Sequence, residues 1–411
     1  MPTQIESPDS GGRHGALLLR ICAAPDGDHS EALRALTDAE WQALAELAET
    51  KRVAPILRRC IERSDAATHV PAAVRTAIDK ACQWHSVYGL KQTVALGRLW
   101  QTLTAEGFRP LLLKGVALAH RDYPDPALRP MRDVDLLLSR DEAERAQAFL
   151  IAHDRYRLAP WAGSYGVEYN HQLPEIQDIA FELTIEVHHR INARGWAQEP
   201  LLVDLLQIEA ESLRILGHDM KVPSPRTNFL HLVEHATLHH AFENGPLTLV
   251  DLHFVATRHD LDWEWIESEA ARLGLSNSLR LVARVARDHG ATWVPDRLCR
   301  WDAPSPDYLA AACAALLQDR EVAEQNKLLR RLGTSPSGQW GWTGALRKAM
   351  RPDPYQLAQI AGSRPDEMRR WLAYPAWLFR RGRRYRAAVE SEIGLAAALR
   401  EAAMMEWMAS E

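Results

Sequence analysis

Two aspartates two positions apart, Asp133 and Asp135, begin an apolar run that ends at Leu138. Side chains alternate between the faces of a strand, so both carboxylates point the same way while Val134 and Leu136 point into a core. Two neighbouring buried carboxylates repel each other unless a cation lies between them. An oxygen-seeking divalent ion, Mg²⁺ or Mn²⁺, meets this need and is commonly shared with substrate phosphates. The pair therefore predicts a metal site that handles phosphates.

A third carboxylate, Glu186, stands among β-branched residues in the run 184–188, which is typical of a strand with one functional side. Three carboxylates can hold two metal ions about 4 Å apart, which is the arrangement that clamps the attacking and leaving oxygens in phosphoryl displacement. We therefore predict Asp133, Asp135 and Glu186 as catalytic metal ligands. Should Glu186 not be the third acid, Glu182 and Glu175 are the next candidates.

Basic residues surround the acids. Lys114 and Gly115 follow the short apolar run 111–113 and precede a helical turn, where a glycine lets a phosphate approach the backbone and the helix N-terminus favours an anion. Arg129 and Arg132 can reach a triphosphate or stabilise the departing pyrophosphate. The alternative is that the two arginines are ion-pair partners of the acids and serve stability alone.

These motifs, in this order, resemble the nucleotidyltransferases of the DNA polymerase β-like superfamily. More specifically, the chain resembles a poorly characterised bacterial family with a Leu-Lys-Gly signature. The matching motifs are Lys114-Gly115, Tyr123-Pro124, Arg129, Arg132-Asp133-Val134-Asp135-Leu136-Leu137, His171-Gln172-Leu173-Pro174 and Glu186-Val187-His188. The resemblance covers roughly residues 40–260. It implies transfer of a nucleoside monophosphate from an NTP, with ATP favoured, to a peptide or a small metabolite. The wider superfamily carries Gly-Ser or Gly-Gly where this chain has Lys-Gly.

Histidines form a second group of candidate ligands. His231, His235 and His239 are four residues apart in the predicted helix 226–243, with Asp251 beyond it, and such a face can bind a metal. The sequence favours a packed helix whose histidines form hydrogen bonds across an interface. His171 and His188 are weaker site candidates, and a structural role is favoured for His188.

The elements predicted around the motifs give an α/β core with a small mixed sheet, embedded in a mostly α-helical protein. The predicted ranges are a disordered leader at 1–14, an N-terminal helical arm at 15–105, the nucleotidyltransferase core at 106–195 and a C-terminal helical domain at 196–411. In the last domain the helical period predicts helices at 199–214, 226–243, 247–258, 263–273, 276–289, 306–331, 365–381 and 384–408, with a loop at 332–343.

Composition narrows the class of protein. A net charge of −5 over 411 residues makes nucleic acid an unfavoured partner, although the run 377–386 mixes aromatics and arginines. Five scattered cysteines without a CxxC pair argue against a disulfide framework or a cysteine zinc site. A polar N-terminus and the lack of a long apolar run predict a cytoplasmic protein without a membrane partner.

The sequence thus predicts an Mg²⁺-dependent nucleotidyltransferase. Two alternatives from other classes stay open. The missing serine favours a degenerate fold that serves as a nucleotide-binding or protein-interaction module. A hydrolase that uses the histidine helix is the other, and its metal would be Zn²⁺, Mn²⁺ or Fe rather than Mg²⁺.

Overall fold

A computed structural model describes residues 12–163, 170–192, 196–299, 304–319, 322–323, 352, 354–363, 367–389 and 392–410. The predicted loop 332–343 lies outside these residues, as do the last part of the predicted helix 306–331 and residues 1–11 of the predicted leader. Residues 12–14 of that leader belong to the first helix, which begins at Gly12.

The N-terminal part is helical, as predicted. Its helices are α1 (Gly12–Ala23), α2 (Ser30–Arg34), α3 (Asp38–Thr50), α4 (Ala54–Glu62) and α5 (Ala72–Ala105), with a 3₁₀ turn at Asp65–His69. A capping box of Thr37 and Glu40 starts α3, since each side chain binds the other residue's backbone N–H. The 34-residue α5 then leads into the sheet.

The described part of the chain forms a mixed sheet of seven strands in the order β3-β4-β5-β2-β1-β7-β6. The strands are β1 (Leu111–Leu113), β2 (Asp133–Leu137), β3 (Tyr156–Leu158), β4 (Ile176–Asp178), β5 (Thr184–His188), β6 (Glu211–Ile215) and β7 (His218–Val222). Helices α6 (Lys114–Arg121), α7 (Arg140–Ile151) and α8 (Glu199–Ile208) connect them, with a 3₁₀ turn at Pro126–Leu128. β1 and β2 are antiparallel, while β2 and β5 are parallel.

The predicted helix 199–214 was wrong in its second half, and so was the predicted end of the core at residue 195. The helix stops at Ile208, and the chain forms the hairpin of β6 and β7. β7 pairs with β1 through Leu111 and Lys221, so the sheet extends to Val222. Leu213, Ile215 and the buried Met220 and Val222 pack with the sheet's core. Apolar alternation in this segment matches a strand period as well as a helical one.

Further helices within the described ranges are α9 (Pro225–Glu234), α10 (Leu247–Arg258), α11 (Trp263–Arg272), α12 (Ser276–Asp288), α13 (Asp296–Cys299), α14 (Pro306–Leu317), α15 (Pro354–Ala361), α16 (Tyr374–Val389) and α17 (Glu392–Met408). The predicted helix 226–243 continues beyond Glu234 as one π-helical turn (the π-turn His235–His239), and the prediction is wrong at residues 240–243, which form turns. The predicted helix 365–381 is a 3₁₀ turn, Met368–Ala373, followed by α16. Phe379 of the aromatic and arginine run is exposed on α16, while Trp377 packs under Arg381.

Two cores lie on the two faces of the sheet. One holds the second half of α5, with Leu96, Leu99 and Leu103, against Val134 and Ile185. The other joins α1, α3 and α4 of the arm to α9, α10 and α12 and reaches Leu113 and Leu137 of the sheet. The arm and the helices that follow the sheet therefore share one core. None of the helices within the described ranges is long and apolar enough to cross a membrane.

Candidate active site

The three predicted acids lie together on one face of the sheet. β2 and β5 run parallel with Asp133 beside Thr184 and Asp135 beside Glu186. The alternating residues Val134 and Ile185 point into the opposite core, as predicted. Asp135 is 5% exposed, so its carboxylate lies almost wholly out of water.

Lys114 is the cation nearest these acids. Its ammonium lies 3.3 Å from Asp135 Oδ1 and 3.2 Å from Nε2 of His235. The backbone of Lys114 has φ +42, a left-handed conformation that costs a side-chain-bearing residue about 1–3 kcal/mol. Such strain persists only where the surrounding structure enforces it, and here it turns the side chain back over the acids. The sequence alone predicted Lys114 at the site but not its contact with Asp135.

His188 holds two of the acids in place. Its Nε2 lies 2.9 Å from Asp135 Oδ1 and 3.3 Å from Glu186 Oε2, and the ring is buried. A carboxylate only accepts, so Nε2 must donate to these oxygens. Asp135, Glu186 and His188 also bring ligand atoms within 4.8 Å of one another, which is close enough for one metal ion. The sequence favours a structural role for His188, and the structure shows its ring in contact with two of the acids.

The charges of the acids differ strongly. Burial, followed by repulsion from the neighbouring Asp135 and Glu186, raises the pKa of Asp133 to about 7. Burial also opposes ionisation of Asp135, but Lys114 and His188 outweigh it and hold the pKa of Asp135 far below its usual range. Burial lowers the pKa of the Lys114 ammonium, yet Asp135 and Glu186 raise it overall. Asp135 is therefore already neutralised, whereas Lys114 and Arg52 only partly offset the charge of Asp133, which has no ion-pair partner among the described residues.

Arg129 is engaged inside the protein rather than pointing towards the acids. Its Nε and Nη2 donate to Asp251 at 2.8 and 2.9 Å, and Tyr123 donates to the same carboxylate at 2.5 Å. Burial disfavours the charge on Arg129, but Asp251 raises its pKa well above the ordinary value. This buried pair matches the alternative of a stabilising arginine, with Asp251 as the partner in place of Asp133 or Asp135. The sequence placed Asp251 near the histidine helix and gave no signal for the pairing.

Arg129→Met is expected to destabilise the protein by about 3–5 kcal/mol, because it leaves the Asp251 carboxylate buried without its cation. Arg132→Met is the matched control. Arg132 is exposed at the cavity, so its loss should change stability by less than about 0.5 kcal/mol. Urea unfolding of both variants measures the difference. Equal stabilities for Arg129→Met and the parent would contradict a structural role for Arg129.

Arg52 is a cavity residue that the sequence did not reveal. It follows α3 with φ +59 and lines the same cavity as Arg132. Burial, followed by repulsion from Arg132 and Arg129, lowers the pKa of Arg52 to about 10. Within the described ranges no carboxylate lies in ion-pair distance of Arg52 or Arg132. Two basic side chains without an acidic partner therefore face the cavity beside Asp133.

Gly115 leaves room at the strand end. A methyl group there would lie 3.6 Å from the carbonyl oxygen of Asp133 and 3.7 Å from Nη1 of Arg129, which is ordinary contact. Packing within the protein therefore does not demand a glycine at this position. The residue also interrupts the helical geometry of α6, with φ 4 and ψ −93. The space beside Gly115 lies next to the acids, and the sequence predicts that a phosphate of the substrate binds here.

Five histidines form one wall of the cavity: His171, His188, His235, His239 and His240. The ring of His171 lies 4.7 Å from that of His239 and 5.2 Å from that of His188, between centroids. Burial, followed by Lys114 and His240, holds the pKa of His235 well below its usual value. Burial and the neighbouring His188 and His239 do the same to His171. His171 and His235 are therefore neutral imidazoles, and they face the charged acids.

The cavity that these groups line has a volume of about 530 Å³. It is bounded by the acids and Lys114, by the histidine wall, by Lys51 and Arg52 of the arm, and by Gln318 and Ala323 after α14. All of the predicted site residues line it: Lys114, Gly115, Arg129, Arg132, Asp133, Asp135, His171, Glu186, His188, His235 and His239. The structure brings them together, although Arg129 turns its guanidinium to Asp251.

Comparison with known proteins gives one match, to a family. Residues 37–290 match the model of a family described as an uncharacterised nucleotidyltransferase. The match spans the arm from α3 onwards, the whole sheet and the helices up to α12, and so includes nearly every residue that lines the cavity. No curated protein and no solved structure matches the chain.

Proposed function

Because the chain belongs to the uncharacterised nucleotidyltransferase family, we propose that it transfers a nucleoside monophosphate from an NTP to a small-molecule or peptide acceptor, with Mg²⁺ or Mn²⁺ as cofactor. The observation that carries the proposal is the row of carboxylates from Asp133, Asp135 and Glu186, which faces a cavity with basic groups at its other side. ATP is the nucleotide to test first.

The acids fit a divalent cation by their own electrostatics. The raised pKa of Asp133, caused first by burial and then by Asp135 and Glu186, marks a place where negative charge lacks compensation. Oxygen ligands in this number suit Mg²⁺ or Mn²⁺ rather than softer metals. Asp133, Asp135 and Glu186 would hold the ion. When bound, it would neutralise charge on the phosphates during transfer.

The protein's own groups would divide the remaining work. Arg52 and Arg132 would bind the β- and γ-phosphates, and the open space at Gly115 would admit the triphosphate to the strand end. Lys114 would keep its ion pair with Asp135, and the other N–H groups of its ammonium would face the phosphates. Arg129 would keep the cavity wall in shape through Asp251.

The reaction is a substitution at the α-phosphorus. The acceptor's nucleophilic oxygen forms a bond to that phosphorus, and the bond to the bridging oxygen of the β-phosphate breaks, so pyrophosphate leaves. Glu186, whose side chain is 20% exposed, would take the acceptor's proton, and His188 would hold the carboxylate in position for it.

Incubation with labelled NTPs and an extract of metabolites or peptides tests the proposal. We expect a labelled product together with release of pyrophosphate, and the loss of both in Asp133→Asn. NTP binding without a labelled product from any extract would favour the alternative of a degenerate nucleotide-binding or protein-interaction module.

An NTP should raise the melting temperature only when Mg²⁺ or Mn²⁺ is present. A ligand stabilises the folded state by mass action, by about 2.7 kcal/mol at a hundredfold excess over its dissociation constant. Thermal melts with ATP and Mg²⁺, with ATP and EDTA, and with Mg²⁺ alone measure this. An equal shift with ATP in EDTA would argue against phosphates bridged through a metal.

A further inference from the structure

The π-turn His235–His239 changes which histidines meet. His240 N–H donates to the carbonyl of His235 at 3.1 Å, five residues back, so the turn is wider than an α-helical one. The sequence predicted His231, His235 and His239 on one face, but His231 is fully buried behind the wall and His240 takes its place. Single π-helical turns within or at the end of α-helices are frequently found at functional sites.

The turn is also followed by strained backbone. Ala241 and Phe242 have φ +51 and +66, although neither is a glycine. Each such residue costs about 1–3 kcal/mol and persists where the fold enforces it. Both side chains are fully buried, which fixes the turn in this shape. The convergence of the histidines is therefore held by the core beneath them.

The spacing of the imidazoles suits a shared metal ion. Nε2 of His235 and Nε2 of His240 lie 3.1 Å apart, and one nitrogen from each of His235, His239 and His240 lies within 4.8 Å of the others. Two nitrogens on one tetrahedral Zn²⁺ are separated by about 3.3 Å, since each Zn–N bond is about 2.0–2.1 Å. The structure therefore holds two of the three rings close to their ligating separation.

Hydrogen bonds aim the lone pairs. His239 Nδ1 lies 2.9 Å from the carbonyl oxygen of Ile191, which can only accept. The proton of the neutral ring is thereby placed on Nδ1, leaving the lone pair on Nε2. A backbone carbonyl in this position is the outer partner that metal-binding histidines usually have. At His235 the Lys114 ammonium can only donate, so Nε2 again carries the lone pair. His240 Nε2 then donates to the same atom at 3.1 Å, and a bound ion would replace this hydrogen bond between the two rings.

We propose that His235, His239 and His240 form a second metal site, for a nitrogen-preferring ion such as Zn²⁺, separate from the carboxylate site. Imidazole suits such ions, whereas the acids suit Mg²⁺. The ion takes the place of the Lys114 ammonium as partner of His235, while Lys114 keeps Asp135. Three protein ligands leave the fourth position open to the cavity, which is the pattern of catalytic zinc sites. In this fourth position the ion would bind an oxygen or nitrogen atom of the acceptor. Only this role of the ion rests on the proposed function.

Co²⁺ is the probe, because its visible absorption reports nitrogen ligands in a tetrahedral site. The full-length protein is titrated with Co²⁺ in excess Mg²⁺, and bound Zn²⁺ is measured by elemental analysis after dialysis. We expect one ion per chain. His239→Ala and His240→Ala should lose affinity by more than the 10–100-fold typical of removing an outer partner. His240→Gln serves if the alanine variant does not fold.

Two controls separate this site from its neighbours. His153→Ala, at an exposed position away from the cavity, should bind Co²⁺ like the parent. Asp133→Asn should also retain the absorption band. Co²⁺ lost in Asp133→Asn and kept in His240→Ala would assign the ion to the carboxylates and overturn the proposal, as would no retained ion in the parent. Failure to transfer a nucleotide with the Co²⁺ band intact would refute the proposed function alone.

Discussion

Asp133→Asn is expected to abolish nucleotidyl transfer and to stabilise the metal-free protein, whereas Asp135→Asn abolishes transfer and destabilises it. Burial and the repulsion of Asp135 and Glu186 oppose the ionisation of Asp133, so an amide of the same shape relieves an unfavourable charge. Asp135 is the ion-pair partner of Lys114 and accepts from His188, so its loss leaves buried donors without an acceptor. We expect a gain of roughly 2–4 kcal/mol for Asp133→Asn and a loss of about 3–5 kcal/mol for Asp135→Asn.

The stability difference between Asp133→Asn and the parent should also depend on pH, in a direction that follows from the pKa of Asp133. The pKa of Asp133 is about 7 in the folded protein, against 3.8 ordinarily, with burial the first cause. A carboxyl with a raised pKa holds its proton more tightly when folded, so its contribution to stability is present below about pH 4 and is lost as pH rises through 7. The advantage of Asp133→Asn over the parent should therefore be largest at pH 8 and fade towards pH 4.

Thermal and urea unfolding in EDTA at pH 5, 7 and 8 measure these differences, and added Mg²⁺ should reverse the order of the parent and Asp133→Asn. Ser139→Ala, which removes an exposed cap of α7 beyond β2, is a control for a generic change near the strand. A loss of several kcal/mol in both aspartate variants would show that both acids are structural, and the metal site would have to be abandoned.

The strands that carry the acids could be predicted because their patterns are local. The apolar run before Lys114 and the alternation around Asp133 and Asp135 encode one buried face and one functional face, and β1, β2 and β5 are found there. The pairing of Asp135 with Glu186 is not local. It was predicted from the family resemblance and from metal chemistry, because three carboxylates can hold two metal ions only when they lie together.

The features that could not be predicted depend on partners distant in the chain. Arg129 meets Asp251 across more than a hundred residues, and Arg52 enters the cavity from the arm. Neither contact leaves a periodic signal. The π-turn also has no such signal, because one extra residue in a turn is set by the burial of Ala241 and Phe242 rather than by composition. Tertiary packing therefore decided which basic and histidine residues reach the acids.

Glu186→Gln is expected to lower kcat by about 10²–10³-fold while leaving the affinity for NTP within a few-fold of the parent's. The estimate is that for the loss of one transition-state interaction. Glu186 lies on β5, one strand away from Asp133, and its side chain is more open than that of Asp135, so it is placed to act on the acceptor. An interaction made mainly in the transition state affects the chemical step more than ground-state binding.

Lys114→Ala should weaken NTP binding more than it slows the chemical step. We expect a raised KM for NTP, since the variant removes a cation from the phosphate side of the cavity. Transfer kinetics and a binding titration on the same two variants separate the effects. Glu182→Gln is the matched control, because Glu182 does not line the cavity. If Glu186→Gln turns over normally while Glu182→Gln or Glu175→Gln does not, the third acid lies outside β5.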